Sequence, residues 1–170
     1  KALEHSAVVH LCGHGMFRSQ HPEFSALRLA DGWLSARELA SLPLAGVTAV
    51  LSGCETGPRA VAAGDEALGL SRGLVRAGAS AVVSSLWRVD DRATCSLMTE
   101  LYSHWRHTGR LGSALRTVQL DRASNAHDPY LWAAFGLIGN ADAAWPVSEC
   151  PPRKTTLNAS SSLSLSAGGS

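Results

Sequence analysis

The 170-residue chain reads as an α/β fold, a mostly parallel sheet covered by helices in layers. Three observations predict it. Short apolar, β-branched runs alternate with longer stretches whose apolar residues recur at helical spacing. Helix start and stop signals fall between those runs. The first two apolar runs also end in glycine-flanked motifs, Gly13-His14-Gly15 and Ser52-Gly53-Cys54-Glu55-Thr56-Gly57, the kind of turn expected where a buried strand leaves the carboxyl edge of a parallel sheet.

Each element has its own signal. Ser6 to Cys12 is a strand. Ser35 at an N-cap with Glu38 three residues on forms a capping-box pattern, which opens a short helix over Ser35 to Leu42 that stops before Pro43. Val47 to Ser52 is the second strand. Asp65 to Ala77 places Leu68, Leu74 and Val75 at helix-compatible spacing, and Gly78 stands where a terminal glycine cap belongs. Ser80 to Leu86 is the third strand. Asp91 to His107 carries Leu97, Met98, Leu101, Tyr102 and Trp105 on one helical stripe, a second helix runs from Leu111 to about Ser124, and Ala133 to Ile138 is a final short strand. Strands separated by helices imply parallel pairing through crossovers.

Composition narrows the function. A hydrophobic content of 45% supports a core, and a net charge of +1, with both signs mixed along the chain, offers no electrostatic footprint for nucleic acid or an anionic membrane. No apolar run reaches the roughly 18 residues of a membrane span, and Lys1-Ala2-Leu3-Glu4-His5 is not a secretory signal, so a cytoplasmic location is expected. The four cysteines, Cys12, Cys54, Cys95 and Cys150, contain no CxxC pair and read as single thiols. Residues 1–145 form the folded part; 146–170, rich in serine after Pro146, Pro151 and Pro152, read as a disordered tail. Because the chain opens on Lys1 and enters a strand almost at once, it is expected to be a piece of a longer polypeptide.

The two motifs suggest a cysteine-histidine dyad. A thiol attacks a carbonyl as thiolate, so Cys54 needs a nearby imidazole, and His14 is the candidate. Glycines beside both residues allow a backbone amide to approach an oxyanion, with Gly15 and Cys54 as the natural donors. Taken singly, a strand histidine is more often a satisfied core residue and a lone cysteine a small apolar packer. A metal reading also stands beside the dyad, because His10, Cys12 and His14 alternate onto one strand face. With the dyad, His10 and Cys12 are expected to point into the layers that cover the sheet.

Several blocks together carry a resemblance: His10-Leu11-Cys12-Gly13-His14-Gly15, Leu27-Arg28-Leu29-Ala30-Asp31-Gly32, Leu51-Ser52-Gly53-Cys54-Glu55-Thr56, Gly64-Asp65-Glu66-Ala67-Leu68-Gly69-Leu70, Ser85-Leu86-Trp87-Arg88-Val89-Asp90-Asp91-Arg92-Ala93-Thr94 and Pro129-Tyr130-Leu131-Trp132-Ala133-Ala134-Phe135. In this order, over about residues 6 to 140, the chain resembles the CHAT domains, caspase-like relatives of separase that commonly follow tetratricopeptide repeats. The resemblance implies a cysteine endopeptidase with a caspase-like three-layer α/β sandwich, His14 as general base, Cys54 as nucleophile, and the Gly15 and Cys54 amides as oxyanion hole. It implies no cofactor and no metal. Partners would be a protein substrate and upstream tetratricopeptide-repeat or sensor domains. Cys12 and Gly53 stand where common members carry alanine. The family's strands and helix before the histidine strand have no counterpart here, which implies a domain truncated at its amino-terminal side, with residues 1–145 its carboxyl-terminal part.

The clan's specificity pocket falls near Asp90, Asp91, Thr94 and Cys95. For Asp90 and Asp91 the competing reading is a helix N-cap and a first-turn acid. Trp87, Tyr130 and Trp132 read either as an aromatic wall or as core packers. An alternative of a different class is a catalytically silent CHAT-type scaffold that signals through protein contacts.

Overall fold

A computed structural model of the chain describes residues 6–16, 18, 20–30, 32–55 and 65–146, with backbone alone for 53–55 and 65–68. The tail read at 146–170 lies outside the described residues from 147 onward. In chain order, β1 (Val8–Met16) leads through a 3-10 turn at Pro22–Phe24 to the three-residue strands β2 (Ala26–Arg28) and β3 (Trp33–Ser35). Helix α1 (Ala36–Leu39), β4 (Thr48–Glu55), α2 (Asp65–Arg76) and β5 (Ala81–Ser85) follow. Helices α3 (Asp91–Thr108), α4 (Leu111–Ser124) and α5 (Pro129–Trp132) then lead to β6 (Phe135–Gly139).

The local signals act where the sequence has them. Ser35 Oγ accepts from the Glu38 amide while the Glu38 carboxylate accepts from the Ser35 amide at 2.7 Å, a complete capping box for α1. Gly78, after α2, has φ +93°, a left-handed conformation that a side chain resists. Among the described side chains of α2 the buried large apolar residues are Leu70 and Leu74, whereas Val75, which the helical spacing also picked out, is 44% exposed. The same face carries Gly69 and Gly73, where an added Cβ would lie 2.7 Å from the Pro22 carbonyl oxygen and 2.6 Å from that of Ala36. Helix α2 therefore packs backbone against backbone on the 3-10 turn and α1.

The described strands form one six-stranded sheet in the order β3-β2-β1-β4-β5-β6. Its centre, β1-β4-β5, is parallel, and β2, β3 and β6 are antiparallel to their neighbours. The antiparallel β6 departs from the crossover expectation for a physical reason: two long helices, α3 and α4, join β5 to β6, and an out-and-back pair returns the chain to the end of the sheet from which it left.

Alternation along β4 sorts the two cores. Ala49 and Leu51 face one layer with Val9, Leu11, Leu39, Leu70 and Leu74, while Val50 faces the other with Val83, Leu97, Leu101, Trp105, Leu115 and Val118. Helices thus cover both faces, a three-layer α/β sandwich. Trp105, fully buried, donates from Nε1 to the Ala143 carbonyl at 2.8 Å and meets Trp145 edge-on at 5.0 Å between ring centroids. Between α3 and α4, the buried Arg122 bonds Glu100 at 2.6 Å. Among the described residues no helix is long and apolar enough to cross a membrane.

Candidate active site

The parallel register of β1 and β4 runs from Val8 opposite Thr48 to His14 opposite Cys54 and Gly15 opposite Glu55. Neighbouring strands lie about 4.8 Å apart, so the backbones of His14 and Cys54 are adjacent at the carboxyl ends of two central strands. The long apolar run of each strand pins this register, since a one-residue slip would turn Val9, Leu11, Ala49 and Leu51 out of their core. Gly13 sits at a close approach, since a Cβ there would stand 3.0 Å from the Arg28 carbonyl oxygen on β2, tighter than most real Cβ contacts. Gly15 is paired on both sides, opposite Leu27 of β2 and Glu55 of β4.

A cavity of about 560 Å³ opens on this rim between the sheet and α3. His10, Cys12 and His14 line it from β1, Ser52 from β4, and Asp91, Thr94, Cys95, Met98, Thr99 and Tyr102 from α3. Asp91 and Cys95, read from the sequence as substrate-pocket residues, are therefore brought to the same cavity as His14. Asp90 is not: its carboxylate accepts the amides of Arg92 at 2.9 Å and Ala93 at 3.1 Å and caps α3, the competing reading. Cys12 is exposed and lines the cavity instead of entering a covering layer, because α3 covers only part of β1. Trp87, Tyr130 and Trp132 do not line it. Trp87 donates to the Tyr130 carbonyl at 2.9 Å and Trp132 to that of His127 at 3.0 Å, with both indoles packed on the α3–α4 core.

His10 follows its expectation and has a partner on each side. Its Nε2 is 2.5 Å from Ser52 Oγ, and its Nδ1 is 2.9 Å from the Tyr102 hydroxyl. Burial lowers the His10 pKa from its ordinary value and pushes the Tyr102 hydroxyl well above the usual tyrosine range, so the ring is neutral and the phenol keeps its proton at neutral pH. With both ring nitrogens engaged, His10 has no lone pair for a metal. Among the described residues no group of three His, Cys, Asp or Glu is arranged to hold an ion. Sequence reading missed this chain; its one available sign was the shared parity of His10 and His14 on β1.

A three-layer α/β sandwich with a His-Gly strand end beside a Gly-Cys strand end defines a caspase-like architecture. The family model described as CHAT domain matches residues 1–140, and the chain belongs to the CHAT domain family, part of the caspase-like clan of cysteine peptidases. No curated relative matches the chain at a significant level.

Proposed function

We propose that the chain carries a cysteine endopeptidase site in which His14 activates Cys54 toward a peptide carbonyl of a protein substrate. The observation that carries this reading is the register pairing of His14 with Cys54 at the carboxyl rim of two central parallel strands, beside a cavity large enough for a substrate side chain. The imidazole takes the thiol proton, the sulfur attacks the carbonyl carbon, and the Cys54 amide, joined by that of Gly15 once it leaves its sheet pairing, stabilises the oxyanion. His14 then returns the proton to the leaving amine, and water hydrolyses the thioester. Asp91 and Cys95 form part of the wall that meets the substrate side chain.

The test uses the full-length protein and a peptide library with basic residues over-represented at the cleavage position. Cys54→Ala abolishes cleavage, and His14→Ala lowers kcat/KM by about 10²-fold or more. The double variant is little worse than Cys54→Ala, since residues that act as one unit are not additive. Retention of the protein's biological output by Cys54→Ala, with no cleavage by wild type under any activating condition, replaces the peptidase with the scaffold.

A further inference from the structure

The hydrogen-bonded chain Tyr102–His10–Ser52 joins three elements: Tyr102 from the middle of α3, His10 from β1 and Ser52 from β4, two residues before Cys54. It lies on the cavity floor, with Ser52 only 7% exposed. Counting protons defines what it can do. A neutral ring has one N–H and the two hydroxyls have one proton each, three in all, and the two links consume two of them. If Tyr102 donates to Nδ1, then Nε2–H donates to Ser52 and the serine proton is left over. If Ser52 donates to Nε2, then Nδ1–H donates to Tyr102 and the phenol proton is left over. Either tautomer leaves one hydroxyl proton for another acceptor, and both hydroxyls belong to residues that line the cavity.

We propose that this chain is a positioning device for the cysteine site: it clamps α3 to β4 beside the strand end that carries Cys54, and it presents one hydroxyl donor to an acceptor oxygen of whatever occupies the cavity. The inference rests on the peptidase reading of Cys54. Its physical basis is that Ser52 and Tyr102 sense one another only through the His10 ring, so either hydroxyl fixes the tautomer that the other meets. Without the ring, the α3 wall of the cavity loses this polar tie to the sheet. Tyr102 also stacks on Trp105, at 6.4 Å between ring centroids, so removing its oxygen leaves the ring's packing in place.

The experiment measures iodoacetamide alkylation of Cys54, Cys12 and Cys95 in the full-length protein by peptide mass mapping, with thermal midpoints as a folding check. Tyr102→Phe and Ser52→Ala each slow Cys54 by about threefold or more and leave Cys95 unchanged, a size typical of coupled neighbours. In a His10→Ala background neither change slows Cys54 further, and His10→Gln, which keeps a donor and an acceptor, recovers part of the rate lost in His10→Ala. Ring-nitrogen NMR of His10 shows a tautomer shift in Tyr102→Phe, the variant that removes a single oxygen and is safest for folding. Effects of the two changes that multiply independently with or without His10, or a folded Tyr102→Phe with unchanged Cys54 rate and ring tautomer, overturn the proposal. The peptidase reading fails separately, on wild type alone, if Cys54 alkylates no faster than Cys12. The variant-to-variant comparison still decides the positioning role in that case.

Discussion

Gly73→Ala in α2 sets two effects against each other, and the geometry decides between them. In an exposed helix interior this change stabilises by about 1 kcal/mol, because alanine loses less backbone entropy and propagates a helix better. Here the new Cβ would lie 2.6 Å from the Ala36 carbonyl oxygen, below the 3.0 Å that real Cβ contacts respect. That oxygen cannot swing away at low cost, since it belongs to the first residue of α1 and accepts the Ala40 amide at 3.0 Å. The helices must separate by at least the missing 0.4 Å, the difference between those two distances. Overpacking of this kind costs about 1–3 kcal/mol, so the net effect is a loss of about 1 kcal/mol. For a chain of this length that lowers the thermal midpoint by about 3 °C. Calorimetry or urea titration reads it, with Val75→Ala on the exposed face of the same helix as the near-neutral control. A Gly73→Ala midpoint equal to or above wild type refutes the close backbone packing of α2 on α1.

The remaining expectations are brief. Asp90→Ala removes the α3 cap and lowers stability by about 1 kcal/mol while leaving KM for peptide cleavage unchanged; a raised KM with an unchanged melt makes Asp90 a pocket residue instead. Acid destabilises the domain partly through His10. Its folded pKa lies below the ordinary 6.5, so the unfolded chain binds the proton first and this stability, complete above that value, is lost as pH falls toward the folded pKa. The midpoint of wild type therefore drops between about pH 7 and pH 5 more steeply than that of His10→Gln, and parallel slopes in the two proteins refute the role of the ring.

What was legible in the sequence followed the range of the interactions involved. The capping box of Ser35 and Glu38 spans three residues and needs no tertiary partner, so it could be read directly, as could the span of α4 from Leu111 to Ser124. Strands β2 and β3 are three residues each, too short for a period to show, and they exist because β1 extends to Met16 and offers an edge for Ala26 and Leu27. The direction of β6 depends on the return of a helix pair and is invisible locally. Val75 fits a helical stripe as well as Leu70 does; what selects Leu70 and Leu74 is the glycine face that packs on α1. At the site, the residue types and strand ends were readable. The pairing of His14 with Cys54 needs a register, and the Tyr102–His10–Ser52 chain needs α3 laid across β1, its histidine and tyrosine 92 positions apart.

The face of β1 turned toward α3 changes its solvent as it runs. Val8 packs on the dry core, His10 is half-buried and bonded on both sides, and Cys12 and His14 are exposed. The step from His10 to Cys12, about 6.6 Å along the strand, thus takes the face from part-buried to solvent-exposed and to a higher local dielectric. One strand therefore serves as core at its beginning and as cavity rim at its end, and the side chains at that rim lie outside the packing that holds its register.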